Sequence, residues 1–213
     1  TNGVKFGTVG TTIENVEIKI AEDGEILAKG PNVMMGYYNQ PEKTKEVLED
    51  DGWFHTGDIG EIVDGKFLKI TDRKKEIFKT SGGKYIIPQM MENKFKESRF
   101  IEQIMVIGEG KKHPAALIVP QYEFLRDWTK RKEIKLADDS NAALVKHPDV
   151  IARMQREVDF YNEGFGQYEK IKKFALLEKE LAIETGELTP TLKLKRKNIL
   201  ALHEATVNEI YAE

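Results

Sequence analysis

Apolar and charged residues alternate at period two over Val16–Ile20, and the Asp23-Gly24 pair separates that run from Ile26-Leu27-Ala28, so the spacing predicts a β-hairpin. The device recurs in "EIVDGKFLKI", where Asp64-Gly65 joins two alternating runs. Between the hairpins, "PEKTKEVLEDDGW" predicts a short helix, with Pro41 near its start and Gly52 closing it. Beyond the second hairpin the periodicity changes. Pro88 opens an amphipathic helix, "PQMMENKFKES", and "IEQIMVIG" and "AALIVP" follow as short buried strands. From Gln121 helical text dominates. Val150, Ile151, Met154, Val158 and Tyr161 form one predicted core-facing stripe. A strand-like "KKFALLEK", the polar "ETGELTPT" and a basic segment continuing as a final helix complete the chain.

The change of texture falls at "TDRKKEIFKTSGGKY", Thr71 to Tyr85, which is also where cationic side chains and a Gly-Gly pair concentrate. The expected architecture is α+β: a β-rich segment over residues 1–72 and a small mixed α/β domain over 73–213, with a hinge at the boundary. The opening text is glycine-rich and has no capping element, so the chain is expected to be a piece of something longer.

Composition narrows the function classes. A chain of 213 residues, 40% hydrophobic and 32% charged, is long enough for real cores. Its formal net charge of −3 argues against a general polyanion binder, so no nucleic-acid partner is expected and any phosphate recognition must be local. The absence of cysteine removes disulfides and thiolate metal sites. His55, His113, His147 and His203 lack metal-ligand spacing and are expected to be surface or capping residues, with no protein-bound transition metal. No apolar run approaches the roughly 20 residues that span a bilayer, and no export pattern opens the chain, so a cytoplasmic location is expected.

Four stretches carry candidate chemistry. In "HTGDIG", Asp58 follows a Thr-Gly turn just ahead of a strand, where a carboxylate can accept from a vicinal diol such as a ribose; a turn-forming Asp is the structural alternative. In "DRKKEIFK", Arg73 offers a planar fork suited to phosphate or ribose oxygens, whereas Lys74, Lys75 and Lys79 are point charges that also suit a solvated basic face. "TSGGK" could present backbone N–H groups to an anion, although it lacks the spacing of a phosphate loop. In "TPTLKLKRK", Lys193 and Lys195 share a face if the segment is extended, and either could reach into a cleft.

Taken in order, "GEILAKGPNVMMGYYNQPEKT", "DGWFHTGDIG", "DRKKEIFKTSGGKYIIP" and "GELTPTLKLKRKNIL" resemble the AMP-forming adenylating enzymes, and most closely their long-chain fatty acid-CoA ligases. The resemblance covers essentially the whole chain. It implies that residues 1–72 are the β-rich tail of a large N-terminal domain and that 73–213 are a mobile C-terminal domain, which rotates between acyl-AMP formation from ATP and acyl transfer to coenzyme A. By resemblance, Asp58 binds the ribose hydroxyls, Arg73 contacts the same nucleotide region, and Lys75 is the hinge. Lys79, Gly82, Gly83 and Lys84 line the coenzyme A channel. Lys193 is the adenylation lysine, bridging carboxylate and α-phosphate oxygens. Many relatives carry Ser-Gly-Lys where this chain has Thr-Leu-Lys, so the choice of Lys193 over Lys195 rests on the Lys-Leu-Lys-Arg pattern.

The implied partners are a fatty acid, coenzyme A and ATP with Mg2+, the last bound mainly by upstream sequence. The implied fragment is inactive alone, and its exposed apolar surface favours dimerisation. Another acyl or aryl adenylating ligase, or a non-catalytic nucleotide- or phosphate-binding module, are the competing functions. The resemblance is compatible with peripheral membrane contact of the full-length protein.

Overall fold

The structure is a computed structural model that describes residues 4–74 and 76–212. The chain divides into two compact units, Thr1–Ile77 and Phe78–Glu213.

The first unit is built on a four-stranded antiparallel sheet in the order β1 (Glu17–Ile20), β2 (Glu25–Lys29), β3 (Phe54–Val63), β4 (Phe67–Arg73). Both expected hairpins form. In the second, Asp64 and Gly65 take φ of 52° and 68°, and Lys66 N–H donates to the Val63 carbonyl at 3.2 Å. Two successive left-handed residues give the turn whose twist matches its flanking strands. The β3–β4 register shifts between Ile59 and Gly60. Gly60 belongs there for steric reasons, since a Cβ would lie 2.4 Å from the Lys69 carbonyl oxygen and 2.6 Å from Ile26 Cδ1.

The helix between the hairpins is shorter than its sequence predicts: α1 spans only Pro41–Lys45. The chain after it is recruited by the sheet. Val47 C=O accepts the His55 N–H at 2.7 Å, Leu48 bridges Phe54, and a separate turn at Glu49–Gly52 leads back into β3.

The second unit holds the larger core. A small hairpin, β5 (Phe78–Lys79) and β6 (Tyr85–Ile86), leads to α2 (Pro88–Phe95), which buries Met91, Glu92 and Phe95. The main sheet is β7 (Ile101–Ile107), β8 (Ala115–Pro120) and β9 (Lys173–Leu176), with β8 central, antiparallel to β7 and parallel to β9. Every residue of β8 is buried, and alternate side chains point to opposite faces, so both faces of this strand are covered. The parallel β8–β9 pairing requires a long crossover, supplied by α3 (Tyr122–Arg131), α4 (Asn141–Lys146) and α5 (Pro148–Asn162). Side chains of Gln121, Ser140 and His147 cap these helices by accepting from the N–H groups of Phe124, Ala143 and Asp149.

Val150, Met154 and Val158 of α5 are buried as their spacing predicts, but Ile151 is 42% exposed. It stands about 100° around the helix from Val150, off the stripe. Asn162 closes the buried face instead, its amide exchanging hydrogen bonds of 2.9 Å with the N–H and C=O of Ile171. The single C-terminal helix expected from the pattern is two, α6 (Arg196–Leu202) and α7 (Glu204–Tyr211), broken at His203, whose φ is −110°. No helix among the described residues is long and apolar enough to cross a membrane.

Candidate functional site

In the first unit, Asp58 and Arg73 face each other across the β3–β4 ladder, and Arg73 Nε lies 3.1 Å from Asp58 Oδ1. Their neighbours are held by side-chain bonds rather than by the ladder alone. Thr56 Oγ1 donates to the Ile26 carbonyl at 2.7 Å and accepts the Asp58 N–H at 3.1 Å. Gly57 N–H donates to Glu25 Oε1 at 2.8 Å, and Gly57 C=O accepts the Lys74 N–H at 2.8 Å. Glu25, buried on β2, also accepts from His55 Nδ1 and Lys74 Nζ, each at 2.8 Å on Oε2.

Burial pushes the Glu25 carboxyl up, but the bonds from His55, Lys74 and Gly57 N–H outweigh it and hold the carboxyl below its ordinary value. The bond to Glu25, helped by Glu49, holds the His55 imidazole above its ordinary value against burial. Lys74 is raised by Asp23 and then Glu25. Asp58 is thus presented, partly exposed and paired with Arg73, by a network whose centre is a glutamate that the sequence pattern did not single out.

Lys75, the expected hinge, lies outside the described residues. In the second unit, Lys79 and Lys84 flank the Gly-Gly turn and rest against aromatic rings, Lys79 Nζ 4.5 Å from the Tyr85 centroid and Lys84 Nζ 5.7 Å from that of Tyr168. A side chain at Gly82 or Gly83 would meet little, but Gly83 has φ 73° and so uses its glycine. Backbone N–H groups of "TSGGK" are engaged within the protein. The N–H groups of Ser81, Gly83 and Lys84 donate within the protein, to Lys111 C=O at 2.8 Å, Thr80 C=O at 2.9 Å and Thr80 Oγ1 at 3.3 Å. The Gly83 and Lys84 donors close the hairpin, and the Ser81 donor ties it to the turn at Gly108–Lys111.

Lys193 and Lys195 lie on a second turn. Thr189 N–H donates to Lys193 C=O, and Leu192 N–H to Thr189 C=O, both at 2.8 Å, while Leu188 bridges Leu194. Both lysines are exposed on either side of half-buried Leu194, and the described ion pairs include neither. Leu192, immediately before Lys193, has φ 59°, a conformation that favours glycine. Alignment of Lys193 with the lysine of a Ser-Gly-Lys sequence places that glycine at Leu192; alignment of Lys195 would place it at Leu194, which has no such φ.

Three carboxylates that organise these loops escaped the sequence reading: Glu25, Glu92 and Glu187 are all buried. Glu187 accepts from His203 Nε2 at 2.8 Å and from Thr185 Oγ1. Burial raises Glu187, but those bonds and the Ala182 N–H bring it below its ordinary value. The available signal was small: Glu92 stands beside Met91 and three residues before Phe95, on the predicted apolar face. His147 caps α5, as expected, whereas His55 and His203 hold buried carboxylates. Among the described residues, no group of three or more His, Cys, Asp or Glu is arranged to hold a metal ion.

The first unit thus carries a presented Asp–Arg pair, and the second carries an exposed lysine turn. Residues 75–213 match the family described as AMP-binding enzyme C-terminal domain, and the chain belongs to that family. Among similar proteins, Long-chain-fatty-acid--CoA ligase FadD15 of Mycobacterium tuberculosis is 38% identical over 99% of this chain and 35% of its own length. Human Long-chain-fatty-acid--CoA ligase 1 is 35% identical over 94% of this chain and 29% of its own length. The adenylation domain of a carboxylate reductase from Mycobacterium chelonae shares the fold with a TM-score of 0.77 at 21% identity, over 99% of this chain and 34% of that one. O-succinylbenzoate coenzyme A synthetase from Bacillus subtilis, solved with AMP, superposes with a TM-score of 0.65 at 25% identity, over 91% of this chain and 35% of that one. The chain spans about a third of the length of the curated relatives it matches.

Proposed function

We propose that the chain is the C-terminal part of a long-chain fatty acid-CoA ligase. The observation that carries this reading is the 38% identity to FadD15 across 99% of the chain, which supports a ligase over a free-standing binding module. In the first half-reaction a carboxylate oxygen attacks the α-phosphorus of ATP, and pyrophosphate leaves. In the second the coenzyme A thiol attacks the acyl carbonyl, and AMP leaves.

Asp58 accepts from the ribose hydroxyls, with Arg73 at its side to orient the carboxylate and meet the nucleotide. Lys193 stands between the carboxylate and the α-phosphate during adenylation, where a preorganised cation in a closed site stabilises the developing charge by several kcal/mol. Leu192 supports Lys193 over Lys195, because its left-handed backbone supplies the turn that glycine supplies in the Ser-Gly-Lys relatives. Rotation about Lys75 then withdraws Lys193 and brings the face of Lys79, Gly82, Gly83 and Lys84 to the pantetheine arm of coenzyme A. Lys75→Pro in the full-length enzyme restricts that rotation and blocks thioester formation while sparing adenylation; normal turnover would refute the hinge.

The Mg2+ that accompanies ATP is proposed to be held mainly by the part of the enzyme outside this chain, through one or two carboxylates and the phosphates. The fragment alone is proposed to be inactive. Val4, Phe6, Val9 and Ile13 of the first unit are 62–99% exposed, which favours self-association; a strictly monomeric fragment in light scattering would contradict that.

The substrate class is tested by ATP-pyrophosphate exchange on the full-length protein with palmitate, acetate, benzoate and cholate. Preference for palmitate supports the long-chain reading. Preference for benzoate or cholate replaces it with an aryl or bile-acid ligase.

A further inference from the structure

The turn that carries Lys193 is tied down by a buried ion pair to which the proposed mechanism gives no role. One Nη of Arg196 donates to both oxygens of Glu92, at 2.7 and 2.8 Å, and the other donates to Val106 C=O at 3.1 Å. Val106 N–H donates back to Glu92 Oε1 at 2.8 Å. The arginine fork therefore clamps α2, β7 and the start of α6 at one point. Its side chains are 5% exposed at Glu92 and 17% at Arg196. Burial pushes the Glu92 carboxyl above its ordinary value, and Arg196 partly offsets this.

A buried pair of this kind is a weak source of net stability, since desolvation consumes most of its Coulomb gain, but a planar guanidinium whose two Nη groups bind different elements fixes direction and register well. The register fixed here is that of Lys193, three residues earlier. Between them, Lys195 N–H donates to Glu187 C=O at 2.8 Å, which ties the Arg196 end of the turn to its opposite strand. That opposite strand has its own anchors. The Glu187 carboxylate is held by His203, and Asn198 Nδ2 donates to Gly186 C=O at 2.9 Å. Both legs of the turn are thus fixed, one by α2 and β7 and the other by α6, while the described bonds of its tip, Pro190–Leu192, come from the turn itself.

We propose that Glu92 and Arg196 are positioning residues for adenylation: they hold the base of the turn so that Lys193 reaches the reacting oxygens. This rests on the reading of Lys193 given above. The described partners of both residues lie within the protein, and their proposed effect runs through the placement of Lys193.

The test uses the full-length ligase and compares ATP-pyrophosphate exchange with thioester formation from preformed acyl-AMP, each normalised to folded enzyme. Arg196→Ala is expected to lower exchange about 100-fold, the scale of a misplacement near 1 Å, while thioester formation stays within about threefold. Arg196→Lys, which retains the charge and is the safer variant to fold, also loses exchange selectively, because an ammonium cannot span Glu92 and Val106 together. Leu125→Ala, a cavity at a buried position of α3, provides the comparison for general destabilisation and leaves the ratio of the two reactions unchanged. Equal loss of the two half-reactions in Arg196→Lys, or no loss in either Arg196 variant, overturns the positioning role. Retention of exchange by Lys193→Ala overturns the underlying reading of Lys193 instead, which separates the two failures.

Discussion

Glu25→Gln is the sharpest perturbation of the network that presents Asp58. The carboxylate is 4% exposed and meets three donors, Gly57 N–H on one oxygen and His55 and Lys74 on the other. An amide in its place has a single acceptor oxygen. If that oxygen serves Gly57, the NH2 faces two donors; if it serves His55 and Lys74, the NH2 faces the Gly57 N–H. Two charge-assisted bonds are weakened in either case, nominally about 1.5–3 kcal/mol each, or about 3–6 kcal/mol together. His55 and Lys74 are 32% and 43% exposed and retain Glu49 and Asp23 as partners, so resolvation reduces the expected cost to about 2 kcal/mol. Hydrogen exchange reads this locally. The Gly57 and Lys74 amides should exchange about 30-fold faster in Glu25→Gln, the ratio that corresponds to about 2 kcal/mol. Protection changed by less than about threefold at both amides would refute the claim that Glu25 organises this loop.

The same network sets a pH window. The folded-state pKa of His55 is raised above 6.5, so its contribution is complete below that value and is lost as pH rises through the raised pKa; that of Glu25 is depressed below 4.5, so its contribution is complete above 4.5 and is lost as pH falls through the depressed pKa. Protection of the Gly57 amide, corrected for intrinsic exchange, should therefore be broadest between those limits, and a flat profile across both would contradict the assignment. At the lysine turn, Leu192→Gly should preserve or raise thermal stability, whereas Leu192→Val should lower stability and slow adenylation, because a β-branched residue fits the left-handed region more poorly than leucine does. Equal behaviour of the two variants would show that the φ of Leu192 places no constraint on the turn.

What could be read from the sequence followed from local rules. Asp23-Gly24 and Asp64-Gly65 identified both hairpins because turn chemistry is decided within a few residues, and Pro88 and the α5 stripe located helices for the same reason. The run after Lys45 also reads as helix by local rules, yet the helix ends early, because Val47 and Leu48 are claimed by His55 and Phe54 of β3. Ile151 fits the stripe by composition but not by angle. The buried acids were the largest omission. Glu92 meets Arg196 across 104 residues, Glu25 meets Lys74 across 49, and no local pattern encodes pairings of that span. The candidate residues themselves, Asp58, Arg73 and Lys193, were found through ordered motifs rather than through periodicity, while the bonds that hold them in place became visible only in the fold.

The central claim is that Lys193 serves adenylation and leaves the second half-reaction alone. Lys193→Ala in the full-length ligase tests it most directly, by comparing ATP-pyrophosphate exchange with thioester formation from preformed acyl-AMP. The account predicts that exchange is abolished and thioester formation persists. Exchange at the wild-type rate, or equal loss of both reactions, would contradict it.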